Sequence, residues 1–227
     1  MKRESESISE SFLTKQKLLK EDPIYSEIDL SELETEIELI SDPNIKKFVR
    51  YLLKHAPGFW KAPASKEIGE HPPDEELEGG LVIHTKRVVR VAMLLSMTVE
   101  SESQTEFDCF VAAALLHDIS RFVLEENTKE FIYDPMHPYT VDRYVEWARR
   151  ESLSKLDSNE DNAIDIDTDA LELILRLIRC SHGIWSPIPE TVPISALERA
   201  LHEADLIASN LHGIIDGLDV EKTRWLK

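Results

Sequence analysis

Apolar side chains recur at steps of three and four residues along most of this chain. That spacing places them on one face of an α-helix. No convincing two-residue alternation, the mark of a half-buried strand, competes with it, so the pattern predicts an all-α protein. The predicted helices cover residues 4–20, 28–40, 42–55, 81–97, 107–116, 138–150, 169–180 and 194–213, the first of them with few apolar anchors.

Turn-forming residues set the predicted boundaries between these helices. Asp42 followed by Pro43 is typical of a helix start, with the acid as the cap and the proline in the first turn. Residues 59–80 contain three prolines and three glycines, which excludes a long regular element and predicts a long loop. Long loops in compact domains often carry function, so we expect this one to cover or line a site. Residues 157–168 are acidic and poor in apolar side chains, which predicts a mobile surface loop.

The length of the chain suits one main domain. Its 227 residues are enough to bury one sizeable core but hardly two. We expect a helical extension at residues 1–42, part of it mobile, followed by a single helical domain at residues 43–227.

The charge of the chain indicates which binding partners it disfavours. It carries 44 acidic and 26 basic residues, a formal net charge of −18. An acidic surface repels phosphate backbones, which argues against the binding of long nucleic acids. Oligomeric state stays open.

The positions of the cysteines and the lengths of the apolar runs indicate in which cellular compartment the protein is found. Cys109 and Cys180 lie in apolar helical stretches, where a buried reduced thiol is the ordinary role. The first residues are charged, unlike a secretory signal, and no apolar run is long enough to cross a bilayer. We therefore expect a soluble, cytoplasmic protein without membrane association.

Candidate metal ligands stand beside the apolar faces of three predicted helices: His84, the pair His117 and Asp118, and Asp205. For any one histidine, a hydrogen-bonded core residue is the ordinary explanation. A buried isolated carboxylate costs several kcal/mol, however, so Asp205 requires a cationic partner. One divalent ion bound by imidazoles and carboxylates would satisfy all four residues.

The segments GGLVIHT (79–85), ALLHDI (114–119) and HEAD (202–205) together resemble the ordered H, HD, D signature of HD-domain phosphohydrolases. The resemblance extends over roughly residues 59–212. It implies a helical bundle with a central metal site in which His84, His117, Asp118 and Asp205 bind the ion.

Two further histidines lie where extended members of that family bind a second ion. The resemblance implies His137 and His182 as these ligands. The alternative is that His137 caps the following helix and that His182 is a polar residue at a helix end. Ser181 stands where many two-metal relatives have another histidine. The sequence therefore leaves two alternatives, a site for one ion and a site for two. Mixed imidazole and carboxylate ligands suit Mn, Fe, Co, Ni or Zn, and suit Mg less well.

The stretch before the first metal histidine is similar to that of bacterial HD-type 3'-to-5' exoribonucleases. The similarity lies in residues 59–66, His71 and residues 79–81. Those enzymes carry an oligonucleotide-binding barrel before this stretch, for which the sequence has no counterpart, and the acidic balance opposes a long nucleic-acid track. Small nucleotides or short phosphodiesters are therefore the expected substrates.

Two basic residues are candidates for phosphate binding. Relatives commonly have a glycine and a lysine after the HD pair and an isoleucine, where this chain has Ser120 and Arg121. A guanidinium binds phosphate oxygens and does not donate a proton at neutral pH, so Arg121 suits charge stabilisation. A surface ion pair of Arg121 with Glu125 is the alternative. Lys66 in the long loop is a second candidate, although a solvated lysine is the more ordinary role.

The remaining histidines carry no spacing that demands ligation. We interpret His55, His71 and His212 as surface or capping residues. His202, one turn before Asp205, is a candidate neighbour of the metal ligands.

The resemblance implies metal-assisted hydrolysis of a phosphoester, with a nucleotide or short oligonucleotide as substrate. A bound ion lowers the pKa of its water from about 15.7 toward about 7. Asp118 would bridge ions or orient that water, while Arg121 and Lys66 would offset charge on the phosphoryl oxygens. The alternatives are a nucleotide-sensing module without turnover, an HD-type exoribonuclease, and a di-iron oxygenase of the same fold.

Overall fold

The computed structural model describes residues 28–99, 103–125, 128, 130–156, 165–183, 188 and 191–215. Over these residues the chain forms eight α-helices, a 3₁₀-helix at Leu30–Leu33 and one two-stranded sheet. The helices are α1 (Glu34–Ile37), α2 (Pro43–Lys54), α3 (Pro57–Lys61), α4 (Gly80–Ser96), α5 (Gln104–Leu116), α6 (His137–Leu156), α7 (Thr168–Cys180) and α8 (Ala196–Ile215). The predicted helical class is confirmed, while the predicted helix at 4–20 and most of the predicted loop at 157–168 lie outside this range.

Polar side chains cap the starts of α2 and α5. The Asp42 side chain accepts hydrogen bonds from the backbone N–H groups of Asn44 and Ile45 and caps α2, as predicted. Ser103 caps α5 by accepting from the Glu106 N–H. That cap lets α5 begin three residues earlier than its apolar face indicates.

The predicted helix at 28–40 is broken into the 3₁₀-helix and the short helix α1. Glu32 and Glu36, like Glu34 and Glu38, stand four residues apart, and like charges at that spacing disfavour a continuous helix. The apolar face nevertheless packs as its spacing predicts.

Three apolar residues before α2 belong to the main core. Leu33, Ile37 and Ile40 are buried together with the side chains of α2 and α5. The division of the chain at residue 42 stays a prediction.

A short β-hairpin corrects the expectation that the chain contains no strand. Strands β1 (Phe122–Leu124) and β2 (Phe131–Tyr133) pair antiparallel, with Val123 opposite Ile132. Each strand has three residues, too few to produce a readable alternation, and both are rich in the aromatic and β-branched residues that favour strands.

The predicted loop at 59–80 is largely confirmed. The five-residue helix α3 occupies its first residues and packs against α4 and β1. At Gly58 a Cβ would lie 2.0 Å from the Phe122 carbonyl oxygen, so this close contact requires glycine. From residue 62 to residue 79 the chain has no helix or strand.

The core is organised around α5. Every residue from Cys109 to Leu116 is buried, and a helix that is apolar on all sides belongs at the centre of a bundle. Helices α4 and α7 pack most closely on it, and α1, α2 and α8 also contact it. The chain segment that leaves the end of α5 therefore lies inside the protein. In the part of the chain that the structure describes, no helix has the length and apolar character needed to cross a membrane.

Candidate metal centre

Two predicted ligands lie where α5 ends. His117 is the C-terminal cap residue of α5, Asp118 follows it, and both are fully buried. The Nδ1 atom of His117 lies 2.8 Å from the Ala114 carbonyl oxygen, which orients the ring. The central position of α5 thus places an imidazole and a carboxylate in the interior.

His84 and Asp205 reach the same place from two other helices. His84 lies in the second turn of α4, Asp205 lies within α8, and these two helices pack against each other. His84 Nε2 is 3.1 Å from Asp205 Oδ1 and 3.4 Å from His117 Nε2. Asp118 Oδ2 is 3.5 Å from His117 Nε2 and 4.0 Å from His84 Nε2. We call these four residues the primary cluster.

The separations within the primary cluster fit metal coordination. Ligand atoms bound at about 2.1 Å to one ion lie roughly 3 to 4 Å from each other. The distances above run from 3.1 to 4.0 Å.

Asp205 is the member that reaches solvent, because its side chain is 14% exposed while those of His84 and Asp118 are 0% exposed. Solvent therefore reaches the Asp205 side chain but not those of His84 and Asp118.

The hydrogen bonds of the two imidazoles direct their Nε2 lone pairs inward. His117 Nδ1 donates to a carbonyl oxygen, and His84 Nδ1, 3.1 Å from Glu75 Oε2, donates to a carboxylate. In a neutral imidazole a proton on Nδ1 leaves Nε2 as an acceptor. Two acceptors and two carboxylates then face one point, an arrangement that a cation stabilises.

A second group shares Asp118 with the first. Asp118 Oδ1 lies 2.9 Å from His137 Nε2, and the rings of His137 and His182 are 4.6 Å apart between centroids. Asp118, His137 and His182 form a set with ligand atoms close enough to hold an ion, which we call the secondary cluster. Since its two carboxylate oxygens face different clusters, Asp118 is placed to bridge them.

Hydrogen bonds at Nδ1 also make Nε2 the acceptor nitrogen in the two histidines of the secondary cluster. His137 Nδ1 donates to the Asp134 carbonyl oxygen, so in the neutral ring Nε2 is an acceptor facing Asp118 Oδ1. Among the described residues, both of these buried atoms lack a hydrogen-bond partner. Ser181 Oγ donates to the Ile178 carbonyl and accepts from His182 Nδ1, so in the neutral ring Nε2 of His182 is an acceptor. Ser181 thus orients a ligand where relatives are expected to supply one.

The carboxylates and imidazoles shift one another's protonation. Burial opposes ionisation of Asp118, but Arg121 and the neighbouring His117 and His137 together outweigh it and hold the pKa of Asp118 well below its usual range. Burial also disfavours charge on His84, yet hydrogen bonds to Asp205 and Glu75 raise its pKa to about 9. A metal ion in the primary cluster would therefore displace a proton from His84.

Two other histidines are held neutral. Burial lowers the pKa of His117. Burial and the neighbouring His137 lower the pKa of His182 to about 4. A neutral imidazole is the form that binds metal ions, so both rings are ready as ligands at neutral pH.

Arg121 lies inside the site, not on the surface. Its guanidinium contacts the Asp118 carboxylate and its side chain is 11% exposed. The alternative of a surface pair with Glu125 is therefore wrong. Lys66, the other predicted phosphate-binding residue, is exposed on the loop, and its role stays a prediction.

The loop contributes two residues that the sequence did not indicate. His71, interpreted from the sequence as a surface or capping residue, is 6% exposed, which corrects that expectation. Its Nδ1 lies 2.8 Å from Glu75 Oε2, and the fully buried Glu75 also contacts His84. Glu75 stands among Asp74, Glu76 and other acids, so nothing in the sequence marks which one turns inward.

The other histidines have simpler roles. His55 is the C-cap residue of α2, with Nδ1 2.7 Å from the Tyr51 carbonyl oxygen, as a capping role predicts. His202 Nδ1 lies 2.6 Å from the Ser181 carbonyl oxygen, beside the secondary cluster. The side chain of His212 lies outside the described residues.

These features define a helical domain whose centre brings together histidine and carboxylate groups able to hold divalent metal ions. The family model of the HD domain matches residues 81–210, more than half of the chain, and the protein belongs to that family. The match contains all four members of the primary cluster. No curated protein and no solved structure matches the chain significantly.

Proposed function

We propose that the protein is a metal-dependent phosphohydrolase acting on a small phosphorylated compound, with a nucleotide as the substrate class. HD domains are generally metal-dependent phosphohydrolases. The observation that carries the proposal is the position of Asp118, with its two buried carboxylate oxygens facing two groups of histidines. Such a bridging carboxylate suits two ions placed side by side.

Each ion would have its own set of ligands, with Asp118 common to both. His84, His117, Asp118 and Asp205 would hold one ion, and Asp118, His137 and His182 would hold a second. Bound ions supply an acidified water molecule and positive charge for the phosphoryl oxygens. Mn, Fe, Co, Ni and Zn suit the mixed imidazole and carboxylate donors better than Mg.

Arg121 is the proposed phosphate-binding residue. It contacts Asp118 and so lies at the junction of the two clusters. In the described part of the chain, its buried Nε atom has no hydrogen-bond partner, which leaves an N–H available for a phosphoryl oxygen. A guanidinium keeps its charge at neutral pH, so Arg121 would stabilise charge without transferring a proton. The exposed Lys66 is a proposed outer contact for the substrate.

The charge of the chain bears on the size of the substrate. A net charge of −18 repels long polyanions. Small nucleotides or short phosphodiesters therefore fit better than a long nucleic acid. The similarity of the loop at 59–80 to exoribonucleases keeps a short oligoribonucleotide among the substrates to be tried.

The test is turnover with added metal. Nucleoside mono-, di- and triphosphates, a short oligoribonucleotide and bis(p-nitrophenyl) phosphate are offered with Mn, Co, Ni or Mg. We expect metal-dependent product release that falls roughly 100-fold or more in Asp118→Asn. The matched control is Asp169→Asn, which removes an equal charge at an exposed position on α7.

Two outcomes would overturn the proposal. Nucleotide binding without product would favour the sensing module. Activity that survives in Asp118→Asn would remove Asp118 from the reaction.

A further inference from the structure

Glu75 is a fully buried carboxylate at the centre of a network of donors. Its Oε2 atom lies 2.8 Å from His71 Nδ1 and 3.1 Å from His84 Nδ1. The Arg87 guanidinium contacts the other oxygen, Oε1. The Glu75 carboxylate therefore accepts hydrogen bonds from all three side chains.

The backbone around Glu75 is also fixed. Its carbonyl oxygen accepts from the Ala64 N–H at 2.8 Å, and its own N–H donates to the Pro72 carbonyl at 2.8 Å. A Cβ on Gly80 would lie 1.8 Å from the Glu75 carbonyl oxygen, so the start of α4 packs directly on this residue. Both the backbone and the side chain of Glu75 are thus fixed relative to α4.

The carboxylate acts on His84 from the side opposite the primary cluster. Because Nδ1 of His84 donates to Glu75, the ring plane is held and Nε2 points at Asp205 and His117. An anion at Nδ1 also increases the electron density on Nε2, which makes the imidazole a stronger ligand.

We infer that Glu75 is the positioning residue that fixes the orientation and ligand strength of His84, so that the loop at 62–79 and metal affinity are linked. The inference rests on the metal binding assigned under the proposed function. His71 and Arg87 hold Glu75 in turn, and Arg87 also pairs with Asp74.

An ion held by His71, Glu75 and His84 themselves is the competing explanation. Their ligand atoms lie within 4.8 Å of one another. However, a neutral imidazole has only one lone-pair nitrogen, and His84 presents Nε2 to the primary cluster, so its Nδ1 carries the proton and cannot bind a further ion. The described contacts therefore favour an orienting role for this group over a ligating one.

The experiment compares Glu75→Gln with Glu76→Gln in the full chain. Both variants remove one negative charge from the same loop, but Glu76 contacts the Gly69 N–H and not His84. Affinity for Mn²⁺ and Zn²⁺ is measured by competition with a chromophoric chelator, and bound metal is counted by elemental analysis. We expect Glu75→Gln to weaken the dissociation constant about 10- to 100-fold with unchanged stoichiometry, and Glu76→Gln to leave it near the wild-type value.

A second readout reports on the ring itself. The ¹⁵N chemical shifts of His84 in the metal-loaded protein should show Nδ1 protonated in wild type and a weakened Nδ1 hydrogen bond in Glu75→Gln. If Glu75→Gln does not fold, His71→Leu removes one donor while leaving the carboxylate. That variant should weaken metal binding by a smaller factor.

The outcomes separate the inference from the function on which it rests. A wild-type protein that binds no metal would refute the proposed function and the inference together. Wild-type binding that Glu75→Gln preserves at full affinity would refute the positioning role alone. Loss of a whole ion in Glu75→Gln would make Glu75 a ligand and overturn the inference.

Discussion

The Nε2 atoms of His84 and His117 face each other at 3.4 Å in the interior of the protein. Each ring donates its Nδ1 proton to an acceptor behind it, which leaves the facing nitrogens without a shared hydrogen when both rings are neutral. With Asp205 and Asp118 at the same point, this pair is the physical basis for assigning a metal ion to the primary cluster.

Metal should stabilise the folded protein. The clusters are assembled from α4, α5, α6, α8 and the segment after α7, so the unfolded chain offers no such site. An ion at 100 times its dissociation constant adds about 2.7 kcal/mol, which corresponds to a rise in Tm of roughly 5 to 10 °C for a protein of this size. Calorimetry with Mn²⁺ or Zn²⁺ added, and again after chelation, measures this change in Tm. An unchanged Tm would show that the ion does not bind the folded protein preferentially.

Loss of Arg121 should affect turnover more than metal binding. In Arg121→Gln the N–H groups beside Asp118 no longer match a phosphate, so kcat/KM should fall by roughly 100-fold. Metal affinity should stay within about tenfold of wild type, because the ligands remain. Arg143→Gln, on the exposed side of α6, serves as the control. Equal activities in the two variants would exclude Arg121 from substrate binding.

A side chain at position 183 should lower the stability of the protein. It has a φ of 53°, and a Cβ would lie 2.3 Å from His202 Cε1. Gly183→Ala should lower the free energy of unfolding by roughly 2–4 kcal/mol, combining backbone strain with displacement of His202. Movement of His202 would also disturb its hydrogen bond to Ser181 and so the orientation of His182.

Gly69 provides the matched control for that substitution. It also has a positive φ, 95°, but a Cβ added there would meet nothing within 4 Å. Gly69→Ala should therefore cost only the backbone strain, roughly 1–2 kcal/mol. Urea unfolding of both variants measures the difference, and equal losses would mean that the His202 contact contributes nothing.

Glu75 should make stability depend on pH in the acid range. Its pKa is about 2 in the folded protein against 4.5 ordinarily, so the folded state favours the charged form. The resulting stability is present above pH 4.5 and is lost as the pH falls from 4.5 toward 2, with an upper limit of about 3 kcal/mol. In metal-free protein, unfolding free energy should decline more steeply over this range in wild type than in Glu75→Gln. If the free energy of unfolding declined equally in the two proteins, Glu75 would not have the lowered pKa that the prediction requires.

The central part of the fold and of the site could be predicted because its signals are local. The apolar run of α5 predicts a buried helix, and the residues that follow such a helix, His117 and Asp118, are carried into the interior with it. His84 and Asp205 could be placed beside apolar faces in the same way. Their convergence depended on the ordered motif, because periodicity alone does not say which faces meet.

The features that were missed depend on tertiary contacts. Glu75 turns inward because the start of α4 packs on its backbone at Gly80 and because Arg87 meets its carboxylate. Neither contact can be read from a loop rich in acids. His71 is buried by the same network. The β-hairpin escaped prediction because three-residue strands are stabilised by their pairing and by packing against α3, not by a local pattern.

Anomalous diffraction from crystals grown with Mn²⁺ tests the central claim most directly. We expect a peak within about 2.3 Å of the Nε2 atoms of His84 and His117 and of oxygens from Asp118 and Asp205. A second peak is expected between Asp118, His137 and His182. Well-ordered crystals in which the four side chains of the primary cluster hydrogen-bond one another, with manganese bound elsewhere or not at all, would contradict the assignment of a metal ion to this site.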